Sequence, residues 1–288
     1  MEYILELHNV IKKYPGFELK NINLKVPYGK VVGLIGENGS GKTTMINLIL
    51  NQIKRDSGNI QVFGKDNIKD ELEIKKRVGF FVDECCYHPC LNPKNINGIA
   101  RHIYNDWNSE LYYDTLKKLN VDSEKHISDM SKGMKSKLML STALSHEPSL
   151  LILDEVTSGL DPVVRASILS LLQDYAKKNH ASVFFSTHIT EDLEKITDDI
   201  IFLHKGRQVF YKSYLDLNKE YLLLKCSKQE LKKINPLNIV KKCYSNDEYS
   251  LLLKNGVYTD IKGKFYSPRI DDIMLMYIKG ECEDVRPN

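Results

Sequence analysis

The hydrophobic positions of this chain follow two different periods, and their order along the sequence predicts an α/β fold. Short apolar runs at Val31–Ile35 and Leu150–Leu153 are typical of buried parallel strands. Further strand patterns lie around Leu5, at Ile22–Val26 and at Ile60–Phe63. Beyond the second apolar run, strand and helix patterns alternate, as a parallel sheet with crossover helices requires.

A helical pattern replaces the strands between Pro93 and Ser145 and predicts a helical insertion. Apolar side chains recur there at the i, i+3, i+4 and i+7 spacing that places them on one face of a helix. We expect the single tryptophan, Trp107, to lie in the core and not to contact a ligand. The positions are Ile96, Ile99, Ala100, Ile103 and Trp107 in one helix, and Tyr112, Leu116 and Leu119 in the next.

The last part of the chain, residues 211–288, has a pattern of its own and predicts a small α+β accessory domain. Strands are predicted at Tyr221–Lys225 and Tyr249–Leu253, with a helix at Lys228–Ile234 between them. The pair Ser267–Pro268 is typical of a helix start, because serine caps the first turn and proline lacks an N–H that would need a partner there. Nothing in this part indicates nucleotide chemistry.

Composition narrows the class of protein. The chain has 288 residues, of which 42% are hydrophobic and 27% charged, an ordinary balance for a globular protein. A net charge of +3 argues against nucleic acid as a partner, since nucleic-acid binders usually carry a clustered basic excess. No apolar run approaches the roughly 20 residues that span a bilayer, and residues 1–10 lack the plan of a signal peptide. We therefore expect a cytoplasmic protein with reduced cysteines that contacts a membrane only through partners.

Residues 36–43 match the sequence GxxxxGK[ST] of a phosphate-binding loop. A predicted strand precedes the motif and an apolar helix follows it, which is the context that such a loop needs. Glycines let successive backbone N–H groups face an anion, and the helix N-terminus adds the positive end of a dipole. Lys42 can reach the β- and γ-phosphates, and the Thr43 hydroxyl can bind Mg²⁺, so we predict a site for a nucleoside triphosphate. The loop consists of Gly36, Glu37, Asn38, Gly39, Ser40, Gly41, Lys42 and Thr43.

Asp154 and Glu155 directly follow the apolar run that begins at Leu150. In a central parallel strand they lie at the carboxyl end, where ligands bind in open α/β sheets. Asp154 is then placed to hold Mg²⁺, directly or through a water, and Glu155 is a candidate general base for an attacking water. The alternative is that both carboxylates simply end a strand at the surface, but a phosphate loop in the same chain favours the catalytic interpretation.

Three further motifs complete an ordered set. A Ser-x-Gly helix start at Ser131–Gly133 precedes the carboxylate strand, and a Ser-Gly-Leu-Asp turn at Ser158–Asp161 follows it. His188 then follows a predicted strand at Ser182–Phe185. Together with the phosphate loop, this order resembles the ATP-binding subunit of ABC transporters over about Glu2–Gly206.

The resemblance implies an α/β fold with a P-loop NTPase core of the ABC type. An antiparallel β subdomain and a helical subdomain at about residues 93–145 belong to that core, and a small C-terminal α+β extension follows. On this basis residues 1–210 form the ATP-binding domain and residues 211–288 form the accessory domain.

The resemblance also assigns roles to single residues. Tyr14 matches the aromatic residue that stacks on adenine, although tyrosine is also common on the face of a β-hairpin for structural reasons. The other matches are Lys42, Thr43 and Thr44 for phosphate and Mg²⁺, Asp154 and Glu155 for the metal-binding and catalytic carboxylates, and His188 for the histidine at the γ-phosphate.

Ser131 and Gly133 match the segment with which, in that family, one subunit closes over the γ-phosphate held by another. The Ser131 hydroxyl, the Gly133 N–H and the helix N-terminus would supply the donors. The resemblance therefore implies a homodimer, or a heterodimer with a second ATP-binding subunit, with ATP and Mg²⁺ as cofactors and a membrane-spanning permease as partner. Apart from any family, Asp161 before Pro162 predicts a capped helix start.

The chain departs from the family pattern at two places. The usual Leu-Ser-Gly-Gly-Gln segment is Met130–Met134 here, and Lys132 and Met134 resemble the version of ABC-2-type exporters, which include bacterial antibiotic and lantibiotic exporters. Asp83 stands where the family normally has a glutamine that touches Mg²⁺ and the lytic water. An aspartate there can approach Mg²⁺, but its charge would repel the γ-phosphate, which favours the protonated form.

Cys85, Cys86, His88 and Cys90 are potential soft metal ligands within one short segment. The two adjacent cysteines point in different directions and no second pair follows, which differs from the spacing of structural zinc sites. We expect instead that the segment packs against the membrane partner, its thiols serving as small apolar groups.

These features predict an ATP-hydrolysing subunit at the cytoplasmic face of the cell membrane that energises export, for example of an antibiotic or peptide, through a separate permease. The energy subunit of an importer is one alternative, although importers usually keep the full Leu-Ser-Gly-Gly-Gln and the loop glutamine. A soluble non-transport ABC ATPase that acts in translation or DNA repair is another, but translation types usually carry two cassettes in one chain, and repair types add long coiled coils or zinc pairs. A third alternative is a non-hydrolysing regulatory subunit. The presence of Glu155 and His188 argues against it, but Asp83 in place of the usual glutamine keeps it open.

Overall fold

The computed structural model describes residues 2–82, 84–245, 248–256, 258 and 261–279. It divides into two compact units, Met1–Tyr211 and Lys212–Asn288. No helix in these described ranges is both long enough and apolar enough to cross a bilayer.

The described part of the first unit is built on one large mixed sheet. Its ten strands lie in the order β5-β4-β1-β2-β10-β9-β3-β8-β7-β6. The five strands from β9 to β6 include the parallel pairs β9–β3, β3–β8, β8–β7 and β7–β6, whereas β1 pairs antiparallel with β2 and β4. The strands are β1 (Tyr3–Tyr14), β2 (Phe17–Pro27), β3 (Val31–Ile35), β4 (Ser57–Val62), β5 (Lys65–Asp66), β6 (Val78–Phe81), β7 (Leu150–Asp154), β8 (Ser182–Thr187), β9 (Asp199–His204) and β10 (Arg207–Ser213).

The central parallel strands bring the separate sequence motifs to one edge of the sheet. Strands β3, β7 and β8 are buried along their whole length, as expected for parallel strands that are covered on both faces. In the register of the sheet, Ile35 lies beside Thr187, and Asp154 lies beside Ser186. The residues that follow these strands therefore meet at their carboxyl ends, although they are far apart in the sequence.

Helices cover this sheet and form a separate helical subdomain. Three of them, α3, α4 and α5, surround a core of their own that includes Ile96, Tyr112, Leu116 and Leu138. The Asp161 side chain caps α6 by accepting hydrogen bonds from the N–H groups of residues 163 and 164, as predicted. The helices are α1 (Lys42–Ile49), α2 (Glu71–Arg77), α3 (Pro93–Ile103), α4 (Ser109–Lys118), α5 (Lys132–Leu144), α6 (Pro162–Asn179) and α7 (Thr190–Ile196).

The apolar positions predicted to share one helix face do not all lie on a buried part of α3. Ile96 and Ala100 are buried, but Ile99 is 49% exposed and Ile103 is 63% exposed. Trp107 lies beyond the end of α3 and packs against the helical core from a loop, where its Nε1 atom donates to Asn97 Oδ1 at 2.8 Å. Periodicity identifies which side chains share a face, but it does not say how much of that face a neighbouring helix covers.

The described part of the second unit has the predicted α+β class. Its antiparallel sheet has the strand order β12-β13-β11-β14, around a core that includes Leu224, Leu251 and Leu253. The last helix begins at Ile270, later than the Ser267–Pro268 signal predicts. Its elements are α8 (Tyr214–Glu220), β11 (Tyr221–Cys226), α9 (Lys228–Leu231), β12 (Ile239–Ser245), β13 (Glu248–Lys254), β14 (Lys264–Tyr266) and α10 (Ile270–Lys279).

Candidate nucleotide-binding site

The loop between β3 and α1 has a backbone that depends on glycine. Gly39 has φ of 78° and Gly41 has φ of 109°, both in the left-handed region that other residues seldom adopt. A Cβ atom on Gly36 would lie 2.4 Å from the Leu203 carbonyl oxygen, so the close approach of β9 also excludes a side chain there. The loop therefore has the conformational freedom and the tight packing that an anion-binding loop requires.

Lys42 folds back over this loop. Its side chain is only 6% exposed, and Nζ donates to the Gly36 carbonyl at 2.8 Å and to the Glu37 carbonyl at 3.4 Å. Nζ also lies 3.3 Å from Glu155 Oε1. The ammonium group is thus positioned between the phosphate-binding loop and the carboxylate that follows β7.

The two carboxylates after β7 have different surroundings. Asp154 is buried, and its Oδ1 atom accepts a hydrogen bond from Ser186 Oγ on the neighbouring strand β8. Glu155 has φ of 51°, and its N–H donates to the same Ser186 Oγ at 3.0 Å. Ser186 therefore holds the backbone at Glu155 and one oxygen of Asp154 together.

His188, which follows β8, meets the Glu155 side chain. Its Nδ1 atom lies 2.6 Å from Glu155 Oε2, while 47% of the His188 side chain is exposed. Glu155 consequently contacts two potential cations, Lys42 through one oxygen and His188 through the other. This arrangement joins three motifs that are more than 30 residues apart in the sequence.

A cleft of about 520 Å³ lies over these groups. The cleft is lined by the phosphate-binding loop and by the side chains of Glu155 and His188, which directly follow β7 and β8. Two of the lining residues, Phe17 and Ser158, were not predicted from the sequence as site residues. The sequence indicates them only by proximity, since Phe17 lies three residues after Tyr14 and Ser158 lies three residues after Glu155. The lining residues are Phe17, Glu37, Asn38, Gly39, Gly41, Lys42, Thr43, Thr44, Glu155, Ser158 and His188.

Tyr14 lies in a neighbouring cleft of about 590 Å³, which shares Phe17 and Gly39 with the first one. The Tyr14 side chain is 42% exposed, and Lys12 Nζ lies 5.3 Å from its ring centroid. Its ring is thus accessible beside the loop that carries the phosphate-binding glycines.

Some of the sequence-predicted residues do not line a cleft. Gly36, Ser40 and Asp154 are buried and are not among the residues that line either cleft. Ser131 is the N-cap of α5, where its Oγ accepts from Met134 N at 3.3 Å, and it too lies outside both clefts.

The Ser-x-Gly segment and the turn after β7 lie beside each other. A Cβ atom on Gly133 would lie 3.7 Å from the Leu160 side chain, and one on Gly159 would lie 3.5 Å from Lys132 Nζ. Gly133 does not line either cleft. One chain therefore does not bring its own Ser131 and Gly133 to its phosphate-binding loop.

The residues present suit a magnesium ion that is bound together with phosphate. Mg²⁺ prefers oxygen ligands and is usually held by one or two carboxylates plus substrate phosphates. Asp154 offers a carboxylate and Thr43 an exposed hydroxyl at the start of α1, whereas Asp83 lies outside the described residues. No three His, Cys, Asp or Glu side chains in the described ranges form a group that could hold a metal by themselves.

Comparison with known proteins identifies relatives of this chain. The sequence model of the family described as ABC transporter matches residues 19–158. The bacitracin transport ATP-binding protein BcrA of Bacillus licheniformis is 31% identical over 238 residues, which cover 80% of this chain and 77% of BcrA. The protein of the same name from Enterococcus faecalis is 32% identical over 222 residues, which cover 76% of this chain and 72% of that protein.

Comparison with solved structures finds the same fold in ATP-binding subunits of ABC transporters. An ATP-binding subunit of an ABC transporter is 26% identical, with a TM-score of 0.68, over 75% of this chain and 92% of that one. The dimeric structure of MJ0796, a bacterial ABC transporter cassette, is 24% identical, with a TM-score of 0.66, over 73% of this chain and 98% of that one.

Proposed function

Because this chain belongs to the ATP-binding proteins of the ABC transporter family, we propose that it is the ATP-hydrolysing subunit of an exporter for a peptide antibiotic. The observation that carries the proposal is the similarity to two bacitracin transport ATP-binding proteins, each matched over more than two thirds of its length. The Ser131–Met134 segment, with Lys132 and Met134 in place of glycine and glutamine, supports export over import.

In the proposed site, the loop N–H groups and Lys42 bind the phosphates of ATP. Lys42 Nζ exchanges its contacts with the Gly36 and Glu37 carbonyls for phosphate oxygens, which are charge-assisted acceptors. Mg²⁺ held with Thr43 and Asp154 would offset phosphate charge. Tyr14, beside the loop, stacks on the adenine ring, and Phe17 lines both the Tyr14 cleft and the phosphate cleft.

Hydrolysis in this proposal depends on Glu155 and His188. Glu155 lines the cleft and accepts a proton from the attacking water, as a general base. His188 Nδ1 is engaged by Glu155, so Nε2 is the ring nitrogen that remains to contact a phosphate oxygen.

We propose that two ATP-binding subunits, identical or different, complete each other's sites. Ser131 and Gly133 lie outside the clefts of their own chain, at the N-terminus of the 13-residue helix α5. A helix N-terminus favours anions because its N–H groups and dipole face them. A second subunit that presents this segment would contact the terminal phosphate of ATP bound to the first.

Export is tested in a bacterial host that carries the chain together with its permease. We expect loss of the chain to increase sensitivity to bacitracin-like peptides, because export would stop. The wild-type chain should restore resistance and Glu155→Gln should not. The control is Glu73→Gln, which should restore resistance. Glu73 is an exposed carboxylate on α2 and pairs with Lys65. Loss of peptide uptake, with resistance increased, would instead indicate an importer.

The segment Cys85–Cys90 is proposed to dock on the permease. Cys85 and Tyr87 pack against the helical core, whereas Cys86 and Cys90 are exposed. The segment leads into α3, whose Ile99 and Ile103 add exposed apolar surface. It thus combines an anchored backbone with side chains that are available to a partner.

We expect a thiol-reactive cross-linker to join Cys86 or Cys90 to the permease in membranes that contain both subunits. Cys226, which is buried in the second unit, is the control position and should give no cross-linked product. Zinc in the purified protein should be well below stoichiometric, since His88 Nδ1 and Cys90 Sγ are in contact without a third described ligand. Stoichiometric zinc that is lost on His88→Ala, together with thermal stability, would contradict the docking role, because structural metal contributes folding free energy.

A further inference from the structure

A buried carboxylate joins the two segments that carry the candidate catalytic side chains. Asp192, in the first turn of α7, is 0% exposed. Its Oδ2 atom accepts a hydrogen bond of 2.6 Å from Thr157 Oγ1, and its Oδ1 atom accepts one from Arg165 Nε. An ionised carboxylate is costly to bury unless it is paired and hydrogen-bonded, and here a guanidinium and a hydroxyl provide both.

The three partners come from three different elements. Thr157 lies two residues after Glu155, in the turn from β7 to α6, and Arg165 lies on α6. Asp192 lies four residues after His188, which directly follows β8. The bond between Thr157 and Asp192 therefore ties the Glu155 turn to the His188 segment, out of contact with solvent.

The Glu155 turn requires support of this kind. Glu155 has φ of 51°, a conformation that a non-glycine residue keeps only when its surroundings hold it. On one side its N–H is held by Ser186 Oγ at 3.0 Å. On the other side Ser158 N donates to Glu155 O at 2.9 Å, and Thr157 is anchored to α7. The contact between Glu155 and His188 thus depends on anchors on both sides of the turn.

We propose that Asp192 is a positioning residue for ATP hydrolysis, which holds the Glu155 turn and the His188 segment, through Thr157, at the separation where their side chains meet. This inference rests on the roles proposed above for Glu155 and His188. Misplacing reacting groups by about 1 Å can lower a rate about 100-fold. Loss of the bond should therefore lower kcat by about tenfold or more. ATP affinity should be unchanged, since neither Thr157 nor Asp192 is among the residues that line the cleft.

Thr157→Val tests the inference with the smallest change. It removes the hydroxyl and keeps the pair of Asp192 and Arg165. Removing Asp192 would also break this ion pair and leave Arg165 only its longer contact with Glu191, so the effect of the hydroxyl could not be separated. Thr115→Val is the matched control, because Thr115 is 2% exposed, Thr157 is 1% exposed, and the Thr115 hydroxyl donates to Leu111 O on its own helix α4. For each variant, kcat, the Kd for ATP and the thermal midpoint are measured.

We expect kcat to fall in Thr157→Val and not in Thr115→Val, with the Kd for ATP unchanged in both. Thr157→Ser keeps the hydroxyl and should restore kcat. An unchanged kcat in Thr157→Val, in a protein that Glu155→Gln inactivates, would overturn the positioning role and leave the proposed site intact. A Glu155→Gln protein that still hydrolyses ATP would instead contradict the proposed function itself. If kcat and the thermal midpoint fall equally in both valine variants, the bond contributes only to stability. That result would overturn the inference.

Discussion

Replacing Glu155 with Gln is expected to stop ATP hydrolysis while ATP remains bound. The side chain keeps its size and its place between Lys42 and His188, but its amide cannot accept a proton from water. Removal of a general base typically costs about 100-fold to 10,000-fold in rate. Because hydrolysis is what would separate two subunits closed around ATP, the variant should accumulate as a dimer when ATP is present.

Gel filtration with and without ATP, together with a phosphate-release assay, measures both effects. Glu73→Gln on α2 is the matched control, since it makes the same chemical change at an exposed surface pair with Lys65. The control should hydrolyse ATP at the wild-type rate. A Glu155→Gln protein that stays monomeric in ATP and still releases phosphate would refute both the base and the dimer.

Replacing Lys42 with Ala is expected to weaken ATP binding severely. The ammonium group is the buried cation of the loop, and a hydrogen bond to a charged group contributes about 1.5–3 kcal/mol. That range corresponds to a Kd for ATP that is about tenfold to 100-fold higher. The change also leaves Glu155 without the cation that lies 3.3 Å from it, so turnover should fall with affinity.

Titration with a fluorescent ATP analogue measures the affinity directly. The control is Lys94→Ala, which should bind ATP normally. Lys94 lies on α3 and forms an exposed ion pair with Glu124. Circular dichroism should show that the Lys42→Ala protein is folded. Unchanged affinity in a folded Lys42→Ala protein would show that the loop is not the phosphate site.

The phosphate-binding loop could be predicted because its requirements are local. Gly39 and Gly41 adopt left-handed backbone conformations that favour glycine, and Lys42 directly follows them. The apolar runs around β3 and β7 likewise predict buried strands without knowledge of their neighbours. The sequence predicted burial less well in the helical subdomain. Ile99 and Ile103 follow the period of a buried helix face and are nevertheless exposed.

The sequence by itself determined the elements, the class of fold and the chemical groups at the strand ends, because these follow from neighbouring residues and from the spacing of apolar positions. Only the tertiary structure decided which of those groups meet. The order of the sheet, with β3 beside β8 and β8 beside β7, brings Lys42, Glu155 and His188 into contact. The same packing buries Asp192 against Thr157, a pair 35 residues apart that no local pattern could indicate. Such contacts depend on how whole elements pack, and that information is spread over the entire core.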